Sequence, residues 1–506
     1  MRSSKVSVID LGFNSLKLVT YGVRDNKSFY VIEQRSVSAM LGEGMDERGY
    51  LQLEPMQRTI EGLEMFREIA DSESIKHVLP IATSAVREAR NKEEFVKQIR
   101  YETGFNFRVL TEKEEAFYSY AGAFRSIFEP NVLFFDLGGG SLEMVHTSNF
   151  AIKKTMSLPL GALRLTQLFA NKRGLFPKKN YSKLRKYVMD LSPDKDDLSL
   201  KQKTAFIGVG GTVRALANID QEMNKYPLEK VHRYALAKES VDFILSELVE
   251  KKISEISKLD FIGEERARTV TAGATVVSTI MERLGIEELI VSAQGLRDGI
   301  LAAFLENPDA YQSGAPIDSS KLIRPRRSNI LECSKGFLSS LLSEKLVSRK
   351  DTDILVSAAN HILKGLPQYR PFAIFHILMD EDANMNHQSQ MVMALSIIRT
   401  LRPKTSEWLY ERFKSIAAPA NKTSIKKITA ILKLVVLLEK THSRVKTRRS
   451  DRNLLVEIYP DPNRRDQFPL ELMRLAIFDV TEMLGISVKL YGMESPLEEP
   501  ILIRAG

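Results

Sequence analysis

The sequence predicts an α/β protein whose first part is one lobe built twice, followed by a helical segment and a small α/β tail. The strongest sign is an internal repeat. VSVIDLGFNSLKLV at 6–19 returns as VLFFDLGGGSLEMV at 132–145, with Asp10/Asp136, Leu11/Leu137, Gly12/Gly138, Ser15/Ser141, Leu16/Leu142 and Val19/Val145 at one constant offset. Beyond each copy, strand-like runs alternate with helical ones. A polar, proline-containing linker at 306–328 then ends the alternation. The expected divisions are 1–125 and 126–308 for the two lobes, 309–440 for the helical domain and 441–506 for the tail.

Each repeat begins as an apolar run ending in Asp, turns through Gly and resumes as an alternating strand, so it reads as a β-hairpin. In the first lobe a helix is expected over 54–70, then strand, turn and helix in HVLPIATSAVREA. TEKEEAFYSYAGAFRSIF (111–128) is expected as a helix opened by a capping box, with Thr111 as N-cap and Glu114 three residues on. In the second lobe, 204–219 and 286–305 each read as strand, glycine turn and helix, with a helix over 268–285 between them. Residues 329–440 are helical and strand-poor; LLVEIYP, PLELMRLAIFDVTEMLG and ISVKLYG in the tail read as strand, helix and strand.

The composition, 43% hydrophobic and 27% charged, is that of a soluble globular protein. No apolar run reaches the roughly 18 residues of a membrane span, and the N-terminus lacks a signal-peptide pattern, so a cytoplasmic location without membrane association is expected. The lone Cys333 rules out an intramolecular disulfide and a cysteine-rich zinc site. Residues 1–310 hold equal numbers of acidic and basic side chains, so the net charge of +9 lies entirely in 311–506, with clusters at Arg324–Arg327 and Arg444–Arg452. Such a surface attracts polyanions without selecting among them.

Gly138, Gly139 and Gly140 let the backbone approach an anion closely, and Ser141 adds a hydroxyl. The turn at Gly210, Gly211 and Thr212 does the same at a helix start, where the dipole also favours phosphate. Gly295, before Leu296-Arg297-Asp298-Gly299, is a third such turn. Asp136 and Glu143 flank the second hairpin turn and can meet one divalent ion, with Asp10 as a third candidate ligand; magnesium takes one or two carboxylates and completes its shell with water and phosphate oxygens. Arg87, Arg214 and Arg297 follow short turns after strands, and Lys17 follows Ser15; all four can face a phosphate cleft. Among Glu112, Glu114 and Glu115, which crowd one helix start, Glu114 already has the capping role. Glu115 is therefore a candidate to activate water, and helix-dipole compensation is the alternative for each.

In their order along 5–305, VIDLGFNSLKLV, ATSAVREA, LTEKEEAFYSYAGA, FFDLGGGSLEMV, SLPLGALRL, IGVGGTVRALA and VSAQGLRDGIL resemble the exopolyphosphatase/guanosine pentaphosphate phosphohydrolase family of the actin, sugar-kinase and heat-shock-chaperone superfamily. The resemblance implies a two-lobed, duplicated actin-like (ribonuclease H-like) fold. It implies Glu115 as catalytic base, Asp136 and Glu143 as the carboxylates that place magnesium or manganese, and a monovalent cation as a further candidate cofactor. Asp10, Asn14, Ser15 and Gly138 to Ser141 match its two phosphate loops. Gly210, Gly211 and Thr212 match a third phosphate-contacting turn, and Arg87 and Arg297 match substrate-phosphate arginines. Phe13 departs from the small residue common there, which should change shape more than chemistry. The implied substrate is inorganic polyphosphate, with guanosine pentaphosphate as the alternative; nucleic acid is not expected as a partner, and a homodimer is.

The helical segment resembles the HD-type extension of longer members, in eroded form. Ile362, not Asp, follows His361, and His361, His376 and His387 lack ligand spacing. It is expected to be a non-catalytic basic domain that binds the polyanion tail or a second subunit.

Overall fold

The structure, a computed structural model, describes residues 4–503 except 26, 46–48, 202, 261, 314–321, 324–330, 381–384, 417–420, 451–452, 464–467 and 492–500. The Arg324–Arg327 cluster therefore lies outside the described residues. The chain divides into two compact units, Met1–Lys225 with Glu229–Pro325, and Tyr226–Leu228 with Arg326–Gly506.

The first unit holds two sheets. In the first, β1 (Ser4–Leu11), β2 (Leu16–Val23), β3 (Phe29–Val37), β4 (His77–Ala82) and β5 (Arg108–Val109) lie in the order β3-β2-β1-β4-β5. In the second, β6 (Val132–Leu137), β7 (Leu142–Ser148), β8 (Ala151–Leu158), β9 (Ala205–Gly210), β10 (Ala235–Ala237) and β11 (Glu288–Val291) lie in the order β10-β11-β9-β6-β7-β8. Both repeat one plan: an antiparallel three-strand meander whose first strand also pairs in parallel with a later strand reached through a helix. The central strands are apolar on both faces, with Val8, Ile9, Leu133, Phe134 and Phe135 fully buried, as sheets covered on two sides require. The duplicated α/β architecture read from the repeat is thus present. The strands β3, β8 and β10 carry too mixed a pattern to be read in advance.

The Glu112–Phe124 helix starts on the expected capping box, with the Glu114 amide donating to Thr111 Oγ1 and the Thr111 amide to Glu114 Oε2. It crosses the Leu296–Glu306 helix with the two backbones in contact. A Cβ on Gly122 would enter the Gly295 carbonyl, and one on Gly299 the Tyr118 carbonyl. This crossing fixes Glu115 at the inner ends of the strands.

In the second unit, helices at Lys335–Ser343, Arg349–Leu363, Pro371–Asp380, His387–Leu401, Pro403–Arg412 and Asn421–Lys440 bury an aliphatic core. His387 Nδ1 is 2.8 Å from the Tyr226 hydroxyl. A four-stranded sheet follows: β12 (Arg444–Ser450), β13 (Asn453–Tyr459), β14 (Ser487–Leu490) and β15 (Ile501–Ile503), in chain order, with the Leu470–Leu484 helix joining β13 to its parallel neighbour β14. The basic cluster starting at Arg444, read only as charge, is a strand as far as Ser450.

Candidate active site

The two hairpin turns close identically. The Gly12 amide donates to the Ser15 carbonyl at 3.1 Å, and the Gly138 amide to the Ser141 carbonyl at 3.0 Å. The register sets Asp10 opposite Lys17 in the first hairpin and Asp136 opposite Glu143 in the second, so each carboxylate shares a sheet face with its partner. The turns meet tip to tip. A Cβ on Gly139 would stand 3.1 Å from Asn14 Cβ, and one on Gly140 would enter the Phe13 ring and stand 2.6 Å from Ser84 Oγ.

Gly139 and Gly140 are therefore needed for close approach of the lobes, whereas a Cβ on Gly138 would meet only the Ser141 carbonyl of its own turn, which corrects the expectation that all three glycines serve to open the backbone to an anion. Gly140 lies beneath Phe13 and is not among the residues lining the cleft. The Ala162–Phe169 helix starts on this loop, its Ala162 and Leu163 amides donating to the Gly138 and Gly139 carbonyls at 3.0 and 2.9 Å, while Arg164 Nε donates to the Gly140 carbonyl at 2.7 Å. Phe13 fills the space over Gly42 and Gly140, and the Arg164 guanidinium sits 5.3 Å above its ring.

Between the turns lies a cavity of about 140 Å³. Asp10, Asn14, Ser15, Lys17, Glu115, Asp136, Gly138, Gly139, Ser141, Glu143, Gly210, Gly211, Arg214 and Arg297 all face it. Glu115 is buried, and burial pushes its carboxyl up to about 7; the Arg87 guanidinium, with Nη1 2.6 Å from Glu115 Oε2, opposes that rise. Burial also raises Asp136 and, further, Glu143, and for Glu143 the charge of Glu115 adds to the rise. Ser119 donates to Asp136 and Ser157 Oγ to Glu143 Oε1 at 3.1 Å. Ser119 follows Glu115 by four residues on one helix face, a relation visible in the sequence.

The cations gather on the other wall. Burial brings Lys17 down to about 7, with Arg297 and Arg214 adding repulsion; Arg214 is lowered to about 10 by burial and by Arg297. Arg297 Nε approaches Asp10 Oδ2 at 4.0 Å. Arg87 Nε and Nη2 and Arg297 Nη1 are buried with no hydrogen-bond partner. The unsatisfied donor of Arg297, which lines the inner cavity, suits an anion with several oxygens. Arg87 instead lines a separate cavity beside Leu110 and Thr111 and reaches this one only through Glu115.

Gly210 adopts φ +119°, and a Cβ there would strike the Leu137 carbonyl, so the third turn requires glycine. Beyond it opens a wider cavity of about 350 Å³, which shares Asn14, Ser15, Lys17, Gly138, Gly139 and Gly211 with the inner one and adds Thr212, Glu265 and Arg266. Asn14 Nδ2 donates to Glu265, and Arg266 Nη1 to the Gly211 carbonyl at 2.5 Å. No local signal in the chain marks Glu265 and Arg266, because their partners Asn14 and Gly211 lie far along it.

Among the described residues no three carboxylate, imidazole or thiol groups form a ready metal site. Asp10, on the opposite hairpin and 4.0 Å from Arg297 Nε, lines the same cavity as Asp136 and Glu143. Asp136 and Glu143 are a buried like-charge pair, and that donor set fits a divalent cation that also takes water and phosphate oxygens.

The sequence profile of the Ppx/GppA phosphatase family matches residues 20–307. The chain belongs to that family. It is 30% identical over 311 residues to the bifunctional 3-dehydroquinate synthase/phosphatase of Fusobacterium nucleatum, covering 59% of this chain and 46% of that protein, so the match spans about half of that relative's length. It is 25% identical over 309 residues to exopolyphosphatase 1 of Mycobacterium tuberculosis, covering 60% of this chain and 89% of that one. The crystal structure of an exopolyphosphatase from Cytophaga hutchinsonii superposes with a TM-score of 0.56 at 23% identity, covering 60% of this chain and 98% of that one, which establishes the shared fold. The Ppx/GppA match thus ends near the close of the first unit, and no helix among the described residues is long and apolar enough to cross a membrane.

Proposed function

We propose that this Ppx/GppA phosphatase is an exopolyphosphatase, releasing terminal phosphate from inorganic polyphosphate. The observation that carries the reading is Glu115: a buried carboxyl poised near 7, bonded to Arg87, in a small cavity between two phosphate-sized turns. Ser15, Ser141, Lys17 and the unsatisfied Arg297 donor hold the terminal phosphate. Glu115 orients a water against the terminal phosphorus and takes its proton as the new P–O bond forms. The bridging P–O bond breaks and its electrons stay on the shortened chain. Magnesium, when bound at Asp136 and Glu143, offsets negative charge on the phosphate oxygens.

A second reading, hydrolysis of guanosine pentaphosphate at its 5′ γ-phosphate, is favoured by the width of the outer cavity, about 350 Å³, which has room for a nucleoside. Phosphate release from long-chain polyphosphate and from guanosine pentaphosphate, measured side by side, decides between them. Fast release from the nucleotide with little from the polymer overturns the first reading.

A further inference from the structure

The sheet of the second unit turns one face to its helices and leaves the other outward. Leu454, Val456, Ile458, Val488 and Leu490 are buried on the inner face. The alternate residues form three rungs across β12, β13 and β14: Arg444 with Tyr459 and then Tyr491, Lys446 with Glu457 and Lys489, and Arg448 with Leu455 and Ser487. Arg444, Lys446 and Arg448 are exposed. The Tyr459 and Tyr491 rings lie parallel, 5.0 Å apart and within 7°, and Lys446 Nζ sits 5.3 Å from the Tyr459 ring centre.

The one carboxylate on these rungs, Glu457, is only 5% exposed and fully engaged. It accepts from both tyrosine hydroxyls at 3.3 Å and meets Arg448 Nη2 at 3.3 Å. Its charge is thereby spent on holding the rings and one cation in place, and the outward face is basic and aromatic.

We propose that this face binds single-stranded RNA. A row of cations on one side of a strand repeats every second residue, about 6.7 Å, on the order of the phosphate spacing of an extended single strand and well beyond that of a condensed polyphosphate. Polyphosphate has no group to use the tyrosines, whereas an unpaired base can extend the Tyr459–Tyr491 stack by taking the place of Lys446 over the Tyr459 ring, with the lysine turning to a phosphate. The rungs are flat and offer no helix or ribbon to enter a duplex groove. Ser487 adds a hydroxyl partner for a ribose 2′-hydroxyl. This departs from the expectation, drawn with the family resemblance, that nucleic acid is not a partner; the basic charge alone did not select among polyanions. The site is independent of the phosphatase reading.

The test uses the full chain and a labelled oligouridylate of about a dozen nucleotides, followed by fluorescence anisotropy between about 50 and about 200 mM salt. The combined variant Arg444→Glu, Lys446→Glu, Arg448→Glu should lose most binding. The triple alanine form should lower the salt slope by about two, at roughly 0.7 per lost phosphate contact. Tyr459→Ala should weaken binding roughly tenfold or more, and Tyr459→Phe should restore it. Thermal unfolding of each variant separates lost binding from lost folding. RNA affinity that survives the charge reversal overturns the proposal. So does affinity indifferent to Tyr459→Ala with long-chain polyphosphate competing as well as RNA, because the face is then a general polyanion track.

Discussion

Replacing Glu115 by Gln tests the mechanism and the electrostatics of the site together. Glutamine keeps the shape and leaves a carbonyl oxygen for Arg87 Nη1, now 2.6 Å from the carboxylate. It removes the proton acceptor, so kcat should fall at least about 100-fold with KM nearly unchanged, the scale of a lost general base. Stability should move the other way. The Glu115 carboxyl stands at about 7 in the fold against 4.5 as its ordinary value, the net of burial, the Arg87 pair and the neighbouring acids. At about 1.4 kcal/mol per unit, that rise is on the order of 3 kcal/mol. The folded state holds the proton more tightly than the unfolded chain, so this group's contribution to stability is full below 4.5, is lost as pH climbs to about 7, and is level above it. Glutamine does not titrate. The variant should therefore match the parent near pH 5 and exceed it at pH 8 by up to about 3 kcal/mol, read as a rise of several degrees in melting temperature with chelator present. Retention of more than about a tenth of kcat removes Glu115 as the base. A variant that melts below the parent at pH 8 refutes the electrostatic argument even if activity is lost.

Arg87→Lys cannot hold Glu115 and the Leu110 carbonyl together as Arg87 Nη1 does; the Glu115 carboxyl should rise further and the acid limb of kcat/KM move to higher pH, and an unmoved limb counts against the pairing. Glu143→Gln removes half of the proposed magnesium pair, so half-saturating magnesium should increase by at least the roughly tenfold typical of losing even a supporting contact. Lys17 stands at about 7 through burial and two arginines, so tripolyphosphate binding near pH 7 should take up a proton; calorimetry in buffers of different ionisation enthalpy reads it, and Lys17→Met should reduce the uptake. Gly122→Ala drives a methyl group into the Gly295 carbonyl and should cost about 1–3 kcal/mol, lowering melting temperature and activity together; an unchanged melting temperature means the two helices part easily.

The sequence showed the hairpins because strand periodicity, a terminal Asp and a glycine turn are all local, and the repeat doubled each signal. It showed Thr111 and Glu114 because a capping box spans only four residues. It misplaced the use of Gly140, because a glycine that exposes amides and one that makes room for Phe13 look alike until the partner is known. It missed Glu265, whose partner Asn14 is 251 residues away, and no periodicity encodes such a pair. It read Arg444 to Ser450 as charge, since basic residues are weak strand formers and only pairing with β13 makes them one.

The duplication explains more of the chemistry than either copy does alone. Two lobes with identical hairpins place Asp10 and Asp136 at matching strand ends, and each is directly opposed by one side chain. In the first lobe that side chain is Lys17, so the pair is self-neutralising and its cation is free to turn to an anion at little electrostatic cost. In the second it is Glu143, so the pair is self-repelling, and burial raises both carboxyls. A buried like-charge pair relaxes by holding a proton or by taking a cation, and on the proposed reading a terminal phosphate between the turns favours the cation. A single change at equivalent positions thus puts a titratable lysine on one wall and a carboxylate pair able to take a cation on the other. Glu115 lies where their fields meet: Asp136 and Asp10 push its carboxyl up and Arg87 holds it down. A symmetric site would lack that balance, with two lysines leaving nothing to seat a divalent ion and two glutamates repelling the substrate. On the proposed reading, the inequality of the copies is what would turn a phosphate clamp into a site able to deprotonate water.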